Sequence, residues 1–492
     1  MHDFILTLML LGAMSSGRPV MPFWATANRF GIMPEADGGV ALISASSQFD
    51  ASQPLQWRWG VSLAAGVDTY YPMSENPASS NEPFTRIMMD ELYGSLRWKV
   101  FSLDLGMKHR EQGFLAGATS QGPAYLGSLS TTGGNVVWSG NSRSIPGYSL
   151  NLEPVAVPYT NGKVEFGASY GDYLTLDNRC VKGALVHTTR FDLTFHITER
   201  LDFLGRLDHY ALWNGTHPTH GKRPGGLKNY LRVVTGAHGS DNATLSDQIN
   251  VLGDQGGAEL FGLRWKGEGF SMTFQHDIPY NDGSGMGFQN FPDGVNTLHF
   301  GLDDKTGWVS DVVLEYATTM WQSGTRHDWI DSEGKKHISG GGDSYFNNGE
   351  YRSGWTFYGR PVGFPLFYPS GTRGGIWDPF GGIVYGVENN RLKALHLGLA
   401  GILFKKAPYK LMLTYSQNYG TYKKPYKGES QWNKEPGTVK ETPLSQFSGA
   451  FMGEIPFKHL AILYGLYADK GEVLTSTFGA TLGVRYCFVP LR

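Results

Sequence analysis

The sequence predicts an all-β protein: a transmembrane, outer-membrane antiparallel β-barrel of about 18 strands (16–18), with short periplasmic turns and long extracellular loops. Three observations predict it: the composition, a period-two alternation of apolar and polar residues, and connections that are either tight or long. The 492-residue chain carries 66 Gly, 13% aromatic residues and only 17% charged residues, where soluble domains carry about 25%. Such a composition suits many strands joined by many turns. The formal net charge is −2, so no basic footprint for nucleic acid is visible. Two cysteines far apart, Cys180 and Cys487, make no disulfide framework and belong to no metal or redox motif.

Alternation carries most of the prediction. In RIMMDELYGSLRWKVFSLDLGMK, Leu92, Gly94, Leu96 and Trp98 share one face, opposite Glu91, Tyr93, Ser95 and Arg97. After a tight Lys99-Val100 turn, Phe101, Leu103, Leu105 and Met107 oppose Ser102, Asp104, Gly106 and Lys108. The pattern recurs at Phe191–Thr198, Phe261–Asp277, Leu395–Tyr415 and Phe478–Phe488. Aromatic residues gather where strands meet the tight turns, as an interfacial girdle does. Long Gly/Asn/Asp-rich connections are expected at 217–229, 238–256, 279–297 and 322–350. A soluble sandwich also alternates, but it does not sort its connections this way.

Residues 1–16, MHDFILTLMLLGAMSS, hold an apolar run from Phe4 to Met14. The run is shorter than the ~20 residues of a helical span. It is read as a signal-peptide h-region, although Lys and Arg are missing before it. A mis-called start or a first strand are the alternatives. Residues 17–492 are then a single outer-membrane β-barrel domain.

Signatures of catalysis are absent: no Gly-x-Ser-x-Gly elbow, no His-Glu-x-x-His, no P-loop. The chain is therefore expected not to be an enzyme, and no cofactor or metal is expected. His217 and His220 in NGTHPTHGKRPGG are one ligand pair short of a metal site. Inward charges such as Glu91, Arg97, Asp104 and Lys108 suit a solvated or plugged lumen, or a selective pore.

Five stretches, in order, carry a resemblance. They are PFWATANRFG (22–31), TTGGNVVWSGNSRSIPG (131–147), LKNYLRVVTG (227–236), GGDSYFNNGEYRSGWTFYGRPVGFPLF (341–367) and YKLMLTYSQNYGTY (409–422). From residue 22 to the last strand the chain resembles the capsule assembly Wzi family of Gram-negative outer membranes. The resemblance implies an occluded 18-stranded barrel with helical material on its periplasmic side. It also implies a lectin-like role in assembling or attaching capsular or related surface polysaccharide. Little chain precedes PFW here, so any N-terminal helical bundle is expected to be reduced or supplied elsewhere.

Polysaccharide presents hydroxyl arrays and apolar C–H faces, which aromatic rings, amides and guanidinium forks match. DSYFNNGEYRSGWTFYGR supplies Tyr345, Phe346, Trp355 and Tyr358 as platforms, Asn347 and Asn348 as readers, and Arg352 and Arg360 as forks. Trp138, Asn141 and Arg143 repeat the set. The same residue types also suit segments that close the barrel, so both readings stand at this stage. Expected partners are surface polysaccharide and outer-membrane lipid, without nucleic acid; protein partners are not indicated. The alternative function is an outer-membrane diffusion channel.

Overall fold

The alternating segments pair strictly in sequence order. The structure is a computed structural model describing residues 2–15, 20–68, 84–110, 129–241, 243–249, 251–324, 329–330, 336–337, 341–373, 385–430 and 440–488. The barrel begins with β1 (His2–Ser15), β2 (Gly38–Ser47), β3 (Leu55–Asp68), β4 (Phe84–Trp98), β5 (Phe101–Met107) and β6 (Gly147–Ala156). It continues through β7 (Val164–Leu174), β8 (Leu185–His196), β9 (Leu201–Trp213), β10 (Asp254–Lys266), β11 (Phe270–Asn281) and β12 (Gly294–Leu302). β13 (Asp311–Thr318), β14 (Arg391–Leu403), β15 (Ala407–Gly420), β16 (Leu444–Pro456), β17 (Leu460–Gly471) and β18 (Thr477–Cys487) complete it. Each strand is antiparallel to its neighbours, and β1 pairs with both β2 and β18, closing the 18-stranded sheet. Closure leaves no edge of unpaired N–H and C=O groups, as strands in hydrocarbon require. No described helix is long and apolar enough to cross a membrane.

The two faces follow the alternation. Leu92, Leu96 and Trp98 on β4, and Leu482, Val484 and Tyr486 on β18, are exposed on the outside. Their neighbours Ser95, Thr481 and Arg485 are buried on the inside. Tight connections such as 99–100, 197–200, 267–269 and 404–406 share one rim, and the long connections 108–146, 214–253 and 319–390 share the other. In outer-membrane barrels the short-turn rim is periplasmic.

The apolar N-terminal run differs from the signal-peptide expectation: it is placed as a strand of the barrel. Ile5–Ser15 pairs with Cys487–Thr477, and His2–Leu11 with Ser47–Gly38. Leu10 and Met14 point outward at 70% and 72% exposure, while Thr7, Met9 and Leu11 are buried inside. A continuous apolar run can alternate in this way because the inner face here packs on apolar plug residues, among them Trp24, Ile32 and Met33. Periodicity alone cannot separate that pattern from an h-region. The helical expectation is corrected as well. The described helices, α1 (Phe23–Thr26), α2 (Leu227–Val234), α3 (Leu245–Ile249) and α4 (Asp282–Met286), all belong to connections of the long-loop rim.

Protein purified from outer membranes is expected to retain residues 2–15, which intact mass determination checks. A variant lacking them leaves β2 and β18 unpaired, and is expected to lose the folded, heat-modifiable band on gel electrophoresis.

Candidate binding site in the barrel lumen

A plug occupies the lumen below the long-loop rim. It is built from residues 129–146, 341–373 and 385–390, which join in a buried apolar core including Val137, Tyr345, Phe346, Trp355, Phe364 and Phe367, and from residues 20–36, whose Trp24, Ile32 and Met33 belong to a second core. Inward residues of the wall, such as Tyr210, Ala258, Val295 and Ala394, belong to the first core. The two sequence motifs are partners in this plug. Ser139 N–H donates to the Val362 carbonyl at 2.9 Å, and Phe364 N–H to the Val136 carbonyl at 2.8 Å. The backbones approach so closely that a Cβ on Gly363 would overlap the Val136 carbonyl. Gly354, at φ +60°, likewise leaves no room for one beside the Phe346 carbonyl.

Most of the eleven candidate residues are engaged by protein. Trp355 is 1% exposed; its ring stacks on Tyr210 at 3.9 Å and meets Trp138 edge-on at 5.5 Å. Its indole N–H donates to the Val137 carbonyl. Tyr345 is buried, with its hydroxyl donating to Asp293 at 3.0 Å. Phe346 packs edge-on against Phe367. Asn347 donates to the Val387 carbonyl and accepts from the Val387 N–H. Asn348 caps the N–H groups of Glu350 and Tyr351. Asn141 donates to the Pro361 carbonyl and accepts from Asn28 N–H. Arg143 lies 4.2 Å over the Tyr358 ring; burial brings its guanidinium down to about 10, so it remains cationic at neutral pH. Arg360 forms a buried ion pair with Glu35. Arg352 is the one exposed side chain of the eleven.

Beneath the plug lies a cavity of about 800 Å3. Trp138, Trp355 and Val137 roof it, and the inner faces of β3 to β9 wall it. At the short-turn end its side chains are wetted: Glu153 is 45% and Arg97 35% exposed, and they pair at 3.0 Å. The cavity is therefore solvated from the periplasmic rim. Its lining carries eight Arg or Lys and five Asp or Glu, an excess of three positive charges. Arg110 lies 3.7 Å over the Trp138 ring and hydrogen-bonds the hydroxyls of Tyr173 and Thr188. Phe49 at the mouth is flanked by Arg58 at 4.5 Å and Arg97 at 4.6 Å. Guanidinium forks and ring edges set around water can hold an acidic, hydroxyl-rich chain.

Sequence reasoning identified Arg97, Asp104 and Lys108 as inward-facing, and all three line this cavity. It missed Arg58, Arg110, Arg190 and Arg206; the inward phase of each strand was the signal that could have found Arg58, Arg190 and Arg206. The His217–His220 pair gains Glu350 nearby, with His220 Nδ1 3.0 Å from the carboxylate. These groups also bond to their neighbours. His217 Nδ1 accepts from Thr219 and His220 N–H groups, and Arg223 pairs with Glu350 at 3.1 Å. Cys180 and Cys487 are both buried and are not joined in a disulfide.

No protein-family model and no curated protein sequence matches the chain. Among solved structures, the fold matches that of Wzi from Escherichia coli, described as an outer-membrane protein involved in group 1 capsule assembly and a carbohydrate-binding β-barrel. The TM-score is 0.56 at 15% identity, covering 99% of this chain and 85% of that one. OccAB2 of Acinetobacter baumannii (TM-score 0.45, 10% identity, 100% and 98% covered) and OpdK of Pseudomonas aeruginosa (0.44, 8%, 99% and 98%) also match. The closed 18-stranded barrel, shared with Wzi, is that of a bacterial outer-membrane protein.

Two predictions concern the plug. Trp355→Ala removes a fully packed indole and is expected to cost about 3–5 kcal/mol, read by denaturant unfolding in detergent. Asp277→Ala and Glu315→Ala remove the acceptors of the Val136 and Thr131 N–H groups. Leaving a buried N–H without its acceptor costs roughly 1–3 kcal/mol, so hydrogen exchange across 129–137 is expected to quicken about 5- to 150-fold.

Proposed function

We propose that the protein binds an acidic surface polysaccharide, capsular or related, and helps assemble or attach it at the outer membrane without chemistry of its own. The observation that carries this reading is the solvated cavity under the plug, with its cationic excess, its Arg110–Trp138 stack and the Arg-flanked Phe49 at its mouth. The fold shared with a carbohydrate-binding barrel supports it. The plug supports it against free diffusion, because among the described residues a buried aromatic core is packed against inward residues of the wall. Of the eleven residues expected to meet glycan, Trp138 and Trp355 reach the cavity. In this reading Asn141, Arg143, Tyr345, Phe346, Asn347, Asn348, Tyr358 and Arg360 act by holding the plug, and Arg352 faces the outside.

The test pairs a cellular with a biochemical readout. Deleting the gene is expected to leave capsule synthesised but shed into the medium, seen as loss of cell-attached capsule stain. Purified barrel is expected to bind acidic oligosaccharides in preference to neutral ones, with Arg97→Ala plus Arg110→Ala weakening binding at least 10-fold. Planar bilayers are expected to record silence. Undiminished attached capsule, or stable open conductance without glycan binding, overturns the proposal in favour of a channel.

A further inference from the structure

The outer wall changes character halfway up one sector. Rising from the short turns, outward positions on β8 run Phe195, Leu193, Phe191, then Thr189 and His187. On β10 they run Trp265, Leu263, Phe261, then Glu259; on β11, Met272 and Phe274, then His276. On β3 and β18 the outward face stays apolar to the upper rim, through Leu63 and Val67 and through Leu482 and Phe478. A polar row left bare to hydrocarbon is costly. Yet these positions are not bare: His187 is 0% exposed although it faces away from the lumen.

The cover comes from two connections folded down outside the barrel, 214–253 and 282–293. α2 packs Val233 in one cluster with outward Ala211 and Trp213. Its Tyr230 hydroxyl donates to outward Asp172 at 2.7 Å and meets that of Tyr170. In the second connection, the Phe288 ring lies 5.9 Å from outward Phe261. Tyr230 on the inner side of this cover thus meets polar groups of the wall.

Its outer side is apolar. Leu227 and Leu231, one helical turn apart, are 74% and 56% exposed, and in the second connection Phe288 and Phe291 are exposed. α2 is inverted relative to a helix on a water-soluble surface, where leucines face the protein and polar groups face out. The exposed Phe288 also adjoins the exposed Phe261 of the lipid-facing belt, so the apolar surface is continuous.

We propose that these two connections form a collar embedded in the outer leaflet, completing the hydrophobic belt above the polar row. Its partner is the lipid of that leaflet: acyl chains lie on Leu227, Leu231, Phe288 and Phe291, and Lys228 reaches toward phosphorylated headgroups as lysines at interfaces do. The inference concerns the outside of the barrel and does not rest on the glycan reading of the lumen.

Spin labels at Leu231→Cys and, separately, Phe288→Cys test it in vesicles of lipopolysaccharide and phospholipid. Collision rates with oxygen and with a water-soluble nickel chelate are compared with those of Leu482→Cys on the lipid-facing wall and Arg200→Cys in a short turn. Both collar labels are expected to match the Leu482→Cys label, with oxygen favoured over nickel. A match to the Arg200→Cys label overturns the proposal, because the collar is then in water. Shielding from both quenchers also overturns it, because the face is then covered by protein. Two label sites keep the test decisive if one variant fails to fold.

Discussion

A segment folded inside a barrel has nowhere to send its backbone N–H groups, because the surrounding strands have paired theirs with one another. Carboxylates projecting inward from the wall resolve this. Asp277 accepts from Val136 N–H at 2.7 Å, Glu315 from Thr131 N–H at 2.6 Å, Asp469 from Phe23 N–H at 2.8 Å and Asp68 from Glu35 N–H at 2.9 Å. Carboxyl oxygens have spare lone pairs to accept such bonds, and a buried N–H left without an acceptor is costly. These bonds let two irregular segments, 20–36 and 129–146, settle where water is excluded. The roof of the cavity, and hence the cavity itself, depends on that anchoring.

The aromatic stretch 343–360 shows how one residue vocabulary serves two purposes. Rings, amides and guanidinium groups are what a glycan site uses, and they are equally what a compact plug without regular structure needs. Asn347 and Asn348 bond backbone groups that no helix or sheet satisfies. Trp355 and Phe346 fill volume that aliphatic side chains on so short a segment would leave empty. In the proposed reading the groups suited to a glycan lie instead where the connection after β5 meets the plug, with Arg110 lying on Trp138.

Inside and outside obey the same accounting with different solvents. Inward polar residues meet either water, as Arg97 and Glu153 do, or the plug. Outward polar residues have no water to meet, so Asp172 and Tyr170 are covered by Tyr230. Both the plug and the collar thus come from connections on the long-loop rim, and each satisfies polar groups that the strands leave over.

Alternation was sufficient for the strands: their existence, the two faces and the tight turns at 99–100 and 404–406 follow from a period of two, which is local and repeats in each strand, while the barrel also needed the sorting of tight and long connections. The inward phase of Arg97, Asp104 and Lys108 was legible for the same reason. Boundaries were less so. The connections expected at 238–256 and 279–297 overrun β10, β11 and β12, because the upper ends of these strands carry polar and glycine residues under the collar. The N-terminal run was ambiguous because its inner face packs on apolar plug. Who closes the lumen was decided only in three dimensions. Asn141 meets the Pro361 carbonyl from 220 positions away, and no local pattern encodes such a contact, since the plug has no periodicity and its partners are set by the geometry of the closed wall.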